Sequence, residues 1–168
     1  MCGIAGVWRR DGRAVEAADL KAMAAAMQHR GPDGEGVFID GDMGLVHRRL
    51  SIVDLAGGAQ PMTSDDRRWT ICYNGEVYNF RELIAKYDLR CDTSGDTEVV
   101  MELYSLLGPK MLQELNGMFA ITIIDRQSND VFIARDRLGI KPVYIKQSGD
   151  DLTVCSEIAP IVELSNSV

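Results

Sequence analysis

Residues 1–8 read MCGIAGVW. From residue 2 the stretch alternates loosely between small and apolar positions, the pattern of a first strand. It also places a thiol directly after the initiator methionine. A free thiol ionises near pH ~8.5 and an α-amine near ~7.7–8.0. If Met1 is removed, both groups belong to Cys2, and the neutral amine can take the thiol proton directly or through one water. No separate histidine base is then required. The ordinary alternative is a small buried strand residue, the usual fate of a free cysteine.

Downstream, Leu20, Met23, Ala24 and Met27 form an i, i+3, i+4, i+7 stripe, and the helix they predict stops at HRGPDG, residues 29–34. Short strands are expected at GVFI (36–39), MGLVH (43–47) and LSIV (50–53), followed by a loop, DLAGGAQPM (54–62). WTICY (69–73) reads as a strand ending in a tight turn at Asn74-Gly75. Asn79 is placed to cap a helix, with Glu82 as its capping-box partner and Phe80, Leu83, Ile84 and Tyr87 as its buried stripe. A second helix follows Asp96 or Thr97, with Val99, Val100, Leu103 and Leu107 on its face, and ends at Gly108-Pro109. A short helix carries Leu112 and Leu115. MFAITIID (118–125) and VFIAR (131–135) form one hairpin, PVYIK (142–146) and LTVCS (152–156) another, and 157–164 a last helical piece. Short strands joined by turns, with helices in a few groups, indicate an α+β fold with mostly antiparallel sheets.

The 168 residues suit a single domain over 1–168, 46% apolar and 26% charged. A net charge of −7 argues against nucleic acid or an anionic membrane as the main partner. No apolar run approaches the ~20 residues that span a bilayer. No secretory signal precedes the first strand. The four cysteines, Cys2, Cys72, Cys91 and Cys155, show no ligand spacing, and with His29 and His47 they make no metal site. Reduced thiols and a cytoplasmic location are expected. A redox role is disfavoured, because no partner cysteine lies nearby in sequence.

A thiolate attacking an amide needs donors aimed at the developing oxyanion. The Asn74 side chain and the Gly75 backbone N–H supply them. An amino-acid head group needs opposite charges: Arg49 can grip a carboxylate with its bidentate fork. Glu76 and Asp96 can hold an ammonium. Taken singly, each has an ordinary explanation as a hairpin turn, a surface charge, a solvated turn residue or a helix cap.

MCGIAG, HRGPD, HRRLSIVD, GAQPM, YNGEVYNF, SGDTE, GMFAI, RDRLGIKPVY and SEI follow one another in this order. In that order the chain resembles the glutaminase (class II glutamine amidotransferase) domain of glutamine-hydrolysing asparagine synthetases, from residue 2 to about 158. The resemblance implies the N-terminal nucleophile hydrolase fold, a four-layer αββα sandwich of two mostly antiparallel sheets. It implies Cys2 as nucleophile once Met1 is removed, with Asn74 and Gly75 as the oxyanion hole. It assigns Arg49, Leu50, Ser51, Ile52, Val53, Asn74, Gly75, Glu76 and Asp96 to L-glutamine, Arg49 on the α-carboxylate and Asp96 on the α-amino group. His29, Arg30, Gly31 and Asp33 carry a structural role in this reading, and His47 no catalytic one.

The expected reaction is hydrolysis of the glutamine side-chain amide through a γ-glutamyl thioester. The ammonia goes to a synthetase domain or subunit that uses ATP and magnesium. No phosphate loop for that step occurs here, so no cofactor is expected in this chain. An excised domain, a truncation and a separate subunit remain open readings. The end at VELSNSV is expected to leave a sheet edge uncovered, which favours association, such as a homo-oligomer, or marginal stability. The competing function is a catalytically silent module that binds glutamine or docks a synthetase partner.

Overall fold

The computed structural model describes residues 1–51 and 58–166. In chain order the elements are β1 (Gly3–Arg9), α1 (Ala17–Ala26), β2 (Gly34–Asp40), β3 (Met43–Arg49), β4 (Met62–Thr63), β5 (Trp69–Val77) and α2 (Phe80–Tyr87). They continue with α3 (Asp96–Leu107), a 3-10 helix (Gly108–Gln113), β6 (Gly117–Asp125), β7 (Asp130–Arg135), β8 (Tyr144–Ser148), β9 (Asp151–Cys155) and α4 (Ile158–Asn166).

β1 runs through the middle of a five-stranded sheet of order β2-β3-β1-β9-β8, and a four-stranded sheet has the order β4-β5-β6-β7. All the pairings are antiparallel. Both faces of the central strands are covered, so β1, β3, β5 and β6 are buried along most of their length, polar residues such as His47 and Asn74 included. Their two faces feed different cores. From β5, Ile71 and Tyr73 pack with Val99, Val100 and Leu103 of α3 and Leu83 of α2. From β1, Ala5 and Val7 pack with Leu20, Met23 and Ala24 of α1 and Ile161 of α4. Between the sheets, Ile4, Met43 and Leu45 meet Cys72, Ala120 and Ile124. The layers are therefore helix, sheet, sheet, helix, as expected.

Three local expectations fail. Asn74-Gly75 makes no turn: β5 continues to Val77, with Asn74 opposite Ala120 and Gly75 opposite Phe119. The local turn preference of the dipeptide is outweighed by a ladder nine residues long. Asn79 is the N-cap residue of α2 as expected, its carbonyl accepting the Leu83 N–H at 3.1 Å, but its side chain makes no capping hydrogen bond. Its amide is spent elsewhere, donating to the Glu114 carbonyl at 2.9 Å and accepting from the Asn116 N–H at 3.0 Å. The strand expected over 50–53 does not include Leu50 or Ser51, because β3 ends at Arg49; Ile52 and Val53 lie outside the described residues. Elsewhere the stop signals act as read. Gly108, at φ 57°, closes α3, and Gly149, at φ 59°, turns the β8–β9 hairpin.

Candidate active site

Cys2 stands one residue before β1, at the end of the central strand of the five-stranded sheet. Its Sγ is held by one neighbouring residue: it accepts the Leu50 N–H at 3.4 Å and donates to the Leu50 carbonyl at 3.7 Å. Arg30 Nε donates to the Cys2 carbonyl at 3.0 Å, and Arg30 Nη1 pairs with Glu157 at 3.0 Å. His29 joins the same Glu157 carboxylate. A Cβ on Gly31 would lie 2.3 Å from the Arg48 carbonyl carbon and oxygen, so only glycine lets this segment lie on the end of β3. Asp33 then takes the Ser51 N–H at 2.8 Å and gives its own N–H to the Arg49 carbonyl. The HRGPD segment thus braces the backbone on both sides of the thiol.

Beside Cys2 lies a cavity of about 270 Å³, lined by Arg49, Leu50, Asn74, Gly75, Glu76 and Asp96 among others. That volume falls at the small end of ligand sites, which run from roughly 300 to 1,000 Å³. The fold therefore brings together seven of the nominated residues, Cys2 among them, from four separate stretches of chain. Ser51 does not line the cavity; its N–H is taken by Asp33. Ile52 and Val53 are outside the described residues.

β5 supplies the donors. Asn74 points between the sheets, 2% exposed, and its Nδ2 has no partner among the described residues. An unsatisfied buried donor is uncommon in folded proteins and calls for an explanation. Gly75 is required for close approach: a Cβ there would meet the Met118 carbonyl oxygen at 2.5 Å and the Tyr73 ring at 2.7 Å. Strand alternation also fixes where its N–H points. The Tyr73 N–H donates to Gln60 Oε1 at 2.6 Å, and the Val77 N–H to Asp96 Oδ2 at 2.8 Å, both away from β6. Gly75 lies midway between them, so its N–H faces the same open edge.

Asp96 also accepts the Tyr73 hydroxyl on Oδ2 at 2.6 Å, leaving Oδ1 without a partner among the described residues. Burial and the Asp96 charge push the Tyr73 hydroxyl well above its usual range, so it stays a donor. Burial drives the Cys72 thiol up, with the nearby Cys2 adding to it, which leaves Cys72 unreactive.

Among the lining residues that the sequence did not nominate, His47, Lys141 and Gln60 bear on the chemistry. His47 is 1% exposed and its Nε2 has no partner among the described residues. Burial holds its pKa down to about 4, against an opposing contact with the Tyr73 backbone and with help from Arg49. It is a neutral imidazole at the cavity wall. Lys141 is 6% exposed, lines the same cavity and has no ion pair among the described residues. Gln60 reaches the cavity from the segment read as loop, within the GAQPM motif. Spacing gives no signal for any of them, since each arrives through a different crossing of the fold.

Over residues 1–168 the chain matches the family model described as glutamine amidotransferase domain. It belongs to that family. The domain is 41% identical over 162 residues to a glutamine-hydrolyzing asparagine synthetase 2 of Bacillus subtilis, covering 94% of this chain and 22% of that protein. It is 38% identical over 172 residues to the glutamine-hydrolyzing asparagine synthetase B of Escherichia coli, covering all of this chain and 31% of that one. The chain thus spans about a fifth to a third of these relatives. Among solved structures it superposes on a glutamine phosphoribosylpyrophosphate amidotransferase from B. subtilis with a TM-score of 0.79 at 21% identity, covering 98% of this chain and 44% of that chain. That likeness shows that the amidotransferase domain has the N-terminal nucleophile hydrolase fold.

Proposed function

We propose that the chain, once Met1 is removed, hydrolyses the side-chain amide of L-glutamine and passes the ammonia to an asparagine-synthetase-type domain or subunit. The observation that carries this reading is the meeting of a half-buried thiol, an unsatisfied amide donor and an open backbone N–H around one small cavity.

Glutamine enters with its α-carboxylate on Arg49, where Lys141 adds positive charge to the same cavity wall. Its α-ammonium meets the open oxygen of Asp96 and the exposed Glu76. The Cys2 thiol gives its proton to its own amine and attacks the side-chain carbonyl carbon. The carbonyl electrons move onto oxygen, facing Asn74 Nδ2 and the Gly75 N–H. Collapse breaks the C–N bond, and the amine returns its proton to the departing ammonia. The γ-glutamyl thioester is then hydrolysed by water activated by the same amine, which releases glutamate and restores the thiol.

Met1 is 54% exposed, so the bond that must be cut lies near the surface. The ATP- and magnesium-dependent step belongs to the synthetase partner. A reduced Cys2 suits a cytoplasmic setting. While Met1 remains, the Cys2 amine is locked in a peptide bond, and that form is a silent glutamine-binding module.

A glutamine-mimicking chloroketone tests the reading. It is expected to label Cys2 and spare Cys72, Cys91 and Cys155, and Cys2→Ala is expected to lose both labelling and ammonia release. Labelling elsewhere, or ammonia release from Cys2→Ala, would overturn it.

A further inference from the structure

The nucleophile and its oxyanion donors lie on different sheets. Cys2 leads directly into β1 of the five-stranded sheet, and Asn74-Gly75 lie in β5 of the four-stranded sheet. No backbone ladder joins the two sheets, so another contact must fix the distance between the sulfur and the donors.

Along the open edge of β5, strand pairing stops early. β4 covers only Thr70 and Ile71. Beyond that point Gln60 Oε1 takes the Tyr73 N–H at 2.6 Å, where the next strand partner would have been. Gln60 Nε2 donates to Thr97 Oγ1 at 3.3 Å, which anchors the side chain to the first turn of α3. The backbone of Gln60 presses on the other sheet: a Cβ on Gly36 of β2 would lie 1.9 Å from the Gln60 carbonyl oxygen. Gln60 therefore touches β2 on one sheet, β5 on the other and the helix that carries Asp96.

We propose that Gln60 is a positioning residue for the oxyanion hole, setting β5 against the sheet that carries Cys2. Its side chain replaces a missing strand at Tyr73 and leaves the next N–H along that edge, Gly75, open for the substrate. A true strand partner would have occupied that N–H as well. The inference rests on the glutaminase reading given above.

The test is steady-state glutamine hydrolysis by the processed protein, with folding checked by thermal melting. Gln60→Met keeps the length and loses the acceptor. It is expected to lower kcat about 10- to 100-fold, by partial loss of oxyanion stabilisation, with KM changed by no more than about threefold. Gln60→Glu keeps the acceptor and is expected to hold kcat within about fivefold of the parent, a separation that the loss of one acceptor accounts for. Alkylation of Cys2 by iodoacetamide, which needs no oxyanion hole, is expected to be unchanged in both.

Gly36→Ala moves Gln60 from behind without touching the cavity and is expected to reproduce the kcat loss. Combined with Gln60→Met it is expected to add little more, because both act through one contact. If Gln60→Met does not melt cooperatively, Gly36→Ala carries the test by the same readouts. An unchanged kcat in Gln60→Met, a loss confined to KM, or equal losses in Gln60→Met and Gln60→Glu would overturn the inference. A parent protein that releases no ammonia would instead overturn the glutaminase reading itself.

Discussion

The two long edges of β5 are held by different means. Toward β6 the strand is bound by a continuous ladder from Trp69–Asp125 to Val77–Gly117, with Phe119 and Ile121 packed behind it. Toward the cavity the ladder ends after Ile71, and Gln60 and Asp96 replace it one N–H at a time. The ladder edge supplies stability through many equivalent bonds and a large apolar core. In the proposed reaction the open edge supplies function, because a strand held by side chains can leave one donor unoccupied. Damage to the two edges should therefore be separable.

The largest separation is expected from Phe119→Ala. This side chain is 2% exposed in the core behind the ladder. Its loss is expected to cost about 3–5 kcal/mol of stability, read by denaturant unfolding, while kcat of the folded fraction stays near the parent value. An equal fall in kcat would mean that the two edges are coupled. Asn74→Ala is expected to do the reverse. Removing one oxyanion donor lowers kcat by about two to three orders of magnitude, roughly 2.7–4 kcal/mol, with little effect on KM. Its melting temperature should barely move, since Asn74 Nδ2 has no partner among the described residues to lose.

The smallest effect concerns His47, which sits between the sheets where the two regions meet. Its imidazole stays neutral in the folded chain down to about pH 4, whereas in the unfolded chain it takes up a proton near its ordinary value of 6.5. The unfolded state then binds more protons across that window, so stability falls as pH drops from 6.5 to 4, by up to about 3 kcal/mol. Asp125, held down to about 2 chiefly by its hydrogen bond with Arg68, loses its contribution as pH falls from its ordinary 3.8 toward 2, mostly below the window. Denaturant midpoints at pH 7 and pH 4.5 measure the slope, which His47→Asn should flatten. A flat profile in the parent would contradict the burial assigned to this ring.

The same contrast explains what the sequence made legible. Helix stripes such as Leu20, Met23, Ala24 and Met27, and the paired strands on either side of residues 126–130, are local patterns, and they predicted their elements. Cys2, Arg49, Asp96 and the Asn74-Gly75 pair were legible as candidates because their motifs follow a family order, and the fold gathers them at one cavity. Asn74-Gly75 misled because a dipeptide preference says nothing about a partner strand more than 40 residues away. Gln60 stood inside the GAQPM motif, but nothing local gave it a role. Its partners, Gly36, Tyr73 and Thr97, come from three elements, and only the folded chain brings them to one side chain.

The most direct measurement compares ammonia release from glutamine by two preparations of this chain, one with Met1 retained and one beginning at Cys2, each verified by intact mass. Release from the trimmed protein alone is expected, because only there does the residue that attacks also carry its base. Equal release from the Met1-retaining protein would show that the Cys2 amine takes no part, and would contradict the mechanism.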